Sequence, residues 1–330
     1  MKVLCYGVRD VEKAIFESLN KDYGFELTLE ASYLKSLEDA KLAEGHEAVI
    51  LRGNCFANRE VLELYKSYGV KYLLTRTVGV NHIDNEAAKD LGFITGYVPA
   101  YSPNAIAELA VSLAMMLLRN TAYTCNRTRQ GDFRVDAKMF SREIRNCTVG
   151  VIGTGKIGFT ACKLFHGLGA RVLGYDVFER DDTEGYFEKA TLENLLAESD
   201  IVSLHIPFIK EQGKLVTKEF IAKMKDSAIL INTARGELQD LEAILDAVES
   251  GKLSGAGLDT LDGEGAWFFK SFEGSCGDEQ VDRALRLFPN VLITPHIGSY
   301  TDEAASNMIE TSYINLDAAI KTGECKFPIK

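Results

Sequence analysis

Three glycines spaced Gly153-x-Gly155-x-x-Gly158 follow the β-type run Val149–Ile152 and open a helical segment, and Asp176 closes the next β-type run, RVLGYD. That combination suits the diphosphate of a dinucleotide. Gly153 permits a tight turn, Gly155 lets the pyrophosphate approach the backbone, and Gly158 allows close helix–strand packing. The helix N-terminus then presents unpaired N–H groups and a partial positive charge. A carboxylate at Asp176 accepts hydrogen bonds from both ribose hydroxyls and repels a 2′-phosphate, so NAD is expected over NADP. A Gly-rich turn alone is a weak signal; here strand, helix and acid occur in the required order.

The elements that must hold this loop are those of an α/β chain. β-rich apolar runs alternate with helical patterns, which argues for parallel sheets built of βαβ units. Strands are expected in MKVLCYG and at 25–29, 48–52, 72–76 and 93–95, and helical spacing covers 11–19. A long apolar helix follows at 104–119, capped by Ser102 with Pro103 in its first turn. After a polar stretch at 120–145, a second series of strands is expected at 148–152, 171–175, 201–204, 228–232, 255–258 and 291–294. The last helix, 302–322, cannot form a domain alone and is expected to return to the first unit. The division is therefore 1–101 plus 299–330 against 102–298, with the catalytic cleft between the two.

Composition narrows the function classes. The 330 residues include 37 Lys+Arg against 48 Asp+Glu, a net charge of −11. Such a chain repels phosphate backbones and anionic lipid, so neither nucleic acid nor a membrane is expected as partner. The longest apolar stretch, 106–118, contains Glu108 and falls short of the ~20 residues of a bilayer span. The N-terminus does not read as a signal peptide. Seven cysteines without a CxxC pair and five scattered histidines suggest reduced thiols, no metal site and a cytoplasmic location.

With the fingerprint in mid-chain, the motifs TVGVNHID (77–84), YSPNAIAELAV (101–111), GTGKIG (153–158), LHIP (204–207), INTARGE (231–237), GAGLDTLDGE (255–264) and TPHIGSY (294–300) become legible together. The chain resembles the D-isomer-specific 2-hydroxyacid dehydrogenases, in particular the D-lactate, D-2-hydroxyisocaproate and (R)-2-hydroxyglutarate branch. The resemblance implies a Rossmann NAD domain inserted into a flavodoxin-like substrate domain, and a homodimer. It implies Arg235 as the carboxylate-binding and carbonyl-orienting cation, His296 as general acid/base and Glu264 as the carboxylate that holds it. Val78 and Gly79 would offer backbone N–H groups to the substrate, with Tyr101 and Tyr300 beside it. Gly153, Gly155, Lys156, Ile157, Gly158, Asp176, His205, Ile206, Pro207, Gln212, Thr233, Ala234 and Asp259 fall at cofactor positions. Asn81-His82 departs from many relatives, which carry an acidic or second amide residue there.

These roles agree with the chemistry. Oxidising a 2-hydroxy acid removes the hydroxyl proton as hydride leaves C2, an exchange that suits an imidazole with a pKa of about 7 whose protonated form a neighbouring carboxylate favours. The substrate carboxylate calls for a planar, permanently charged partner, which is Arg. His46, His82 and His166 have no such context and read as structural or surface residues. Leu109, Leu113, Met116 and Leu117 have core or subunit-interface spacing, and the surplus of apolar positions on helix 104–119 makes it the expected dimer contact. Arg52, at a strand end in AVILRGNCF, reads either as a solvated arginine or as a second cation facing the far end of the substrate. A monocarboxylate would leave that cation unpaired, so 2-oxoglutarate and (R)-2-hydroxyglutarate are the expected pair, with D-lactate or a bulkier 2-hydroxy acid as alternative. An NAD-sensing, corepressor-like binding protein is the more distant alternative.

Overall fold

The computed structural model describes residues 1–178 and 182–329, in two compact units: Met1–Ser102 with Tyr300–Lys330, and Pro103–Ser299. The first holds five parallel strands, β1 (Lys2–Cys5), β2 (Glu26–Leu29), β3 (Ala48–Leu51), β4 (Tyr72–Thr75) and β5 (Ile94–Gly96), in the order β2-β1-β3-β4-β5. This is the flavodoxin-like order, with its topological switch between β1 and β3. Side chains alternate across each strand. Leu4, Val49, Leu51 and Leu73 therefore meet one helical layer, while Val3, Cys5, Ile50 and Leu74 meet another. The helix Asp302–Thr322 belongs to the latter layer, burying Ile309, Tyr313, Leu316 and Ala319.

The second unit has seven parallel strands: β6 (Thr148–Ile152), β7 (Arg171–Tyr175), β8 (Glu188–Lys189), β9 (Ile201–Leu204), β10 (Ala228–Asn232), β11 (Leu253–Leu258) and β12 (Val291–Ile293). Their order, β12-β11-β10-β9-β6-β7-β8, is that of a Rossmann sheet, reversing between β6 and β9. β9 and β10 are buried along their whole length, as expected of central parallel strands covered on both faces.

The long apolar helix spans Pro103–Leu118, and most of its apolar surplus serves its own unit. Ala107, Ala110, Leu113, Ala114 and Leu117 are buried in a core shared with β6, β10 and the helix Lys156–Gly167. The polar stretch that follows is not featureless. It contains the helix Thr121–Arg129, which buries only Ala122 and so carries almost no periodic signal. Beyond it Phe133, Val135 and Phe140 stand exposed at 78%, 86% and 91%, more than any apolar side chain of the long helix.

β11 ends at the functional site, and two glycines set its distance from the long helix. A Cβ on Gly257 would lie 2.9 Å from Leu113 Cβ, and one on Gly255 2.7 Å from the Asn290 carbonyl oxygen. Neither neighbour is the tip of a flexible side chain. Gly257→Ala is expected to destabilise the chain by about 1–3 kcal/mol, read as a lower urea midpoint at unchanged m-value.

Candidate active site

The nucleotide loop leaves β6 at Gly153, whose φ of 91° favours glycine. A Cβ there would strike the His205 carbonyl oxygen at 2.6 Å, and one on Gly158 would lie 1.7 Å from Gly153 O. Gly155 has open space instead and immediately precedes the helix Lys156–Gly167, so its backbone is free to be approached. Lys156 and Ile157 are the first residues of that helix, where the unpaired N–H groups lie. Asp176 follows β7. Its Oδ2 accepts the Thr154 N–H at 2.6 Å and its Oδ1 the Phe178 N–H at 3.0 Å. With Thr154, Tyr175, Phe178 and Phe187 it lines a cavity of about 530 Å³. These features fit the diphosphate and adenosine ends of a dinucleotide.

His205 follows β9 across the switch point. Its Nε2 pairs with Ser203 Oγ at 2.9 Å, and burial pushes its pKa down to about 4, so it stays neutral. Ile206 and Pro207 continue along this rim, whereas Gln212 lies on an exposed turn, Lys210–Gln212. Thr233 is buried, with an Oγ1 that has no hydrogen-bond partner among the described residues.

Arg235 emerges after β10, exposed and extended at φ −146°. Its loop is held from beneath by two amides that sequence reading missed. Asn232 Nδ2 donates to Arg235 O at 2.8 Å and to Gln239 Oε1 at 2.8 Å, while Gln239 Nε2 donates to Thr260 O at 3.0 Å. An asparagine closing an apolar strand was the available signal, because such a group needs buried partners.

His296 Nδ1 and Glu264 Oε1 are 2.5 Å apart, and Glu264 Oε2 accepts the Leu261 N–H at 3.1 Å. The carboxylate is thus fixed at both oxygens, and Nε2 remains as the nitrogen that can exchange a proton with a substrate. Burial works against the imidazolium, but Glu264 and Asp259 outweigh burial and the Arg235 charge, so the pKa of His296 is raised. Its backbone sits in the left-handed region at φ 52°, with the N–H shared between Asp259 O and Thr294 O, both at 2.9 Å. The Asp259 side chain holds the same turn. Its Oδ1 accepts from Thr294 Oγ1 at 2.6 Å and Ile297 N at 2.9 Å, and its Oδ2 from Gly298 N at 2.9 Å. Asp259 therefore has a structural task in addition to any contact with a cofactor.

In the first unit, Val78 and Gly79 lie exposed after β4, and their N–H groups have no acceptor among the described residues. Thr77 Oγ1 donates to Gly79 O at 2.6 Å, and His82 Nε2 lies 2.9 Å from Thr75 Oγ1. Burial lowers the His82 pKa to about 4, which agrees with a structural role. Tyr101 O accepts from Asn307 Nδ2 at 2.7 Å, and Tyr300 is half exposed beneath the Arg9 guanidinium. Arg52 is not the solvated arginine of the first reading: its side chain is 14% exposed and Nη1 lies 3.6 Å from Glu12 Oε2.

Residues 111–298 match the family model for the NAD-binding domain of D-isomer-specific 2-hydroxyacid dehydrogenases. An aromatic 2-oxoacid reductase of Clostridium sporogenes is 41% identical over 328 residues, 99% of this chain and 98% of that protein. Among solved structures, D-2-hydroxyisocaproate dehydrogenase superposes with a TM-score of 0.91 at 35% identity, covering 100% of this chain and 99% of the other. D-lactate dehydrogenase of Lactobacillus jensenii, solved with NAD+, gives 0.88 at 35% identity over 100% of both chains. The chain belongs to the D-isomer-specific 2-hydroxyacid dehydrogenase family. It is an NAD-dependent oxidoreductase acting on a CH–OH group.

Two outcomes follow from the His296 geometry. With His296 as the expected acid, reduction needs the protonated imidazole, and its rate is expected to fall as pH rises through the His296 pKa. Glu264→Gln removes the main effect holding that pKa up, and the falling limb of the kcat/KM profile for reduction is expected at lower pH, read from initial rates across pH. Asp259→Asn replaces one acceptor oxygen by an NH2 group facing donors. With the turn misplaced, kcat is expected to drop on the order of 10²-fold, checked beside an unchanged far-UV CD spectrum.

Proposed function

We propose that the chain reduces a 2-oxo acid to the D-2-hydroxy acid with NADH, using His296 as the acid and Arg235 as the carboxylate clamp. The observation that carries this is the Glu264–His296 pair, which leaves Nε2 available while the exposed Arg235 lies close enough for its charge to act on the imidazole. When bound, the nicotinamide supplies the hydride to C2. Arg235 orients the substrate carboxylate through two parallel hydrogen bonds and polarises the keto oxygen. His296 Nε2 delivers the proton to that oxygen, and Glu264 keeps the resulting imidazole in the tautomer protonated on Nδ1.

For the substrate, the names of relatives put monocarboxylates first: an aromatic 2-oxo acid, pyruvate or a branched-chain 2-oxo acid. A second reading, 2-oxoglutarate, is favoured by one observation. Arg52 and Arg76 share a single carboxylate, Glu12, so this cluster after the strands of the first unit retains a surplus positive charge. A panel of 2-oxoglutarate, oxaloacetate, pyruvate, phenylpyruvate and 4-methyl-2-oxopentanoate separates the two. Highest kcat/KM for a monocarboxylate supports the first reading, and highest kcat/KM for 2-oxoglutarate the second. No NADH consumption with any of the five defeats both.

Cofactor preference rests on Asp176. NADPH is expected to give a far lower kcat/KM than NADH, and Asp176→Ala to narrow that gap; equal values in the unaltered protein would refute the assignment. We also place the protein in the cytoplasm as a homodimer, with Phe133, Val135 and Phe140 supporting a contact through the segment after the long helix. Sedimentation at micromolar concentration should show twice the chain mass of 36.4 kDa, and a monomer overturns it.

A further inference from the structure

Two buried amides join the loop of Arg235 to the loop of Glu264. Asn232 ends β10 and Gln239 follows the short turn Gly236–Leu238, with 0% and 2% of their surface exposed. Asn232 Oδ1 accepts the Ala234 N–H at 3.0 Å, and its Nδ2 donates to Gln239 Oε1 at 2.8 Å. Gln239 Nε2 donates in turn to Thr260 O at 3.0 Å. That carbonyl and the Leu261 N–H are opposite ends of one rigid peptide group. The Leu261 N–H is the donor that Glu264 Oε2 accepts, and Glu264 Oε1 holds His296 Nδ1. A run of hydrogen bonds thus leads from the residue before Arg235 to the imidazole.

Each amide has one workable orientation. Turning Asn232 over would set its NH2 against the Ala234 N–H and its oxygen against Arg235 O. Turning Gln239 over would set its oxygen against Thr260 O. The donors therefore all point from the Arg235 loop toward Glu264, and hydrogen bonds aligned in this way strengthen one another. The two loops also touch directly. A Cβ on Gly236 would lie 2.0 Å from Leu261 C and 2.3 Å from Asp262 N, so the turn after Arg235 rests on the peptide groups that precede Glu264. The backbone around Gln239 is held without its side chain, since the Val216 N–H donates to Leu238 O and the Asp240 N–H to Val216 O, both at 2.9 Å. An apolar side chain of similar size could fill the same space. What an apolar side chain could not do is bond to both loops.

We propose that Gln239 is a positioning residue for proton transfer: through the peptide joining Thr260 to Leu261 it orients the Glu264 carboxylate on His296, and through Asn232 it ties that setting to the Arg235 loop. The proposal rests on the reading of His296 as the acid and Arg235 as the clamp. Burial and the Arg235 charge work against the imidazolium, while Glu264 and Asp259 favour it and prevail. Gln239 carries no charge, so its loss reaches the imidazole by displacing Glu264. A weakened Glu264 contact lowers the His296 pKa.

The test uses Gln239→Leu, which removes both side-chain hydrogen bonds at similar volume, and Gln239→Asn, which keeps an amide but is one methylene too short to span Asn232 and Thr260. The His296 pKa is read by NMR titration of the imidazole signals, assigned with His296→Gln, and the pH profile of kcat/KM for reduction is measured beside it. In Gln239→Leu the pKa and the falling limb are both expected at lower pH, with kcat down on the order of tenfold. Combining Gln239→Leu with Glu264→Gln should move the limb no further than Glu264→Gln alone, because one carboxylate carries both effects. A His296 pKa and limb left in place, with kcat/KM lowered evenly across pH, would make Gln239 a purely structural residue and overturn the proposal. Should Gln239→Leu fail to fold, Gln239→Asn decides: a smaller shift in the same direction supports the proposal, and an unmoved His296 pKa ends it. The titration needs no turnover. A protein that reduces no 2-oxo acid, yet whose His296 pKa drops in Gln239→Leu, would lose the reading of function and keep the orientation of Glu264 by Gln239.

Discussion

The turn after β12 has to place an imidazole at the carboxyl edge of a parallel sheet while its backbone runs through the left-handed region. A non-glycine residue held there is strained, and strain of this kind persists only where surrounding contacts over-determine it. Asp259 supplies those contacts, with its main-chain oxygen on the His296 N–H and its carboxylate on Thr294, Ile297 and Gly298. The remaining parts of the site are arranged around that clamp. Glu264 reaches Nδ1 from the loop that follows β11, and Arg235 comes from the next strand inward. Gly255 and Gly257 matter to chemistry for the same reason, since they decide how closely β11, which carries Asp259 at its end, lies against the long helix.

The functional loops of the second unit all leave the same end of the sheet because its strands are parallel. Gly153 follows β6, Asp176 β7, His205 β9, Arg235 β10, Asp259 β11 and His296 the end of β12. The switch between β6 and β9 opens the gap in which Gly153 and His205 touch. The cofactor loop and the His296–Glu264 pair thus share one rim without any residue having to cross the sheet.

Most of this frame was legible from sequence because its signals are local. Apolar strand runs, the Gly fingerprint and the Pro103 helix start each lie within a dozen residues, and the elements appear where those patterns put them. What escaped has no local signature. β8 is two residues long, and the helix Thr121–Arg129 has almost no buried face. Asn232 and Gln239 are polar residues whose partners are main-chain groups on other loops. Glu12 and Arg76 each read as ordinary solvated charges, since only the folded sheet brings together residues so distant in sequence. The contact of Arg52 with Glu12 is invisible in the linear chain for the same reason.

Two carboxylates, one in each unit, thus do comparable work by different means. Asp259 is surrounded by a hydroxyl and two peptide N–H groups, neutral donors that hold a turn without adding charge beside the imidazole. Glu12 is surrounded by guanidinium groups. Burial works to raise its pKa, and Arg76 and Arg52 more than reverse that, so it stays ionised. Buried ion pairs contribute little net stability, because desolvating both charges offsets most of their attraction, and apolar replacements of similar volume are often no worse. Stability is therefore a poor reason for the pair of Glu12 and Arg76. Orientation is a better one, because an apolar residue at position 12 could fill the space but could not hold Arg9 by its N–H and Arg52 by its guanidinium from a single point.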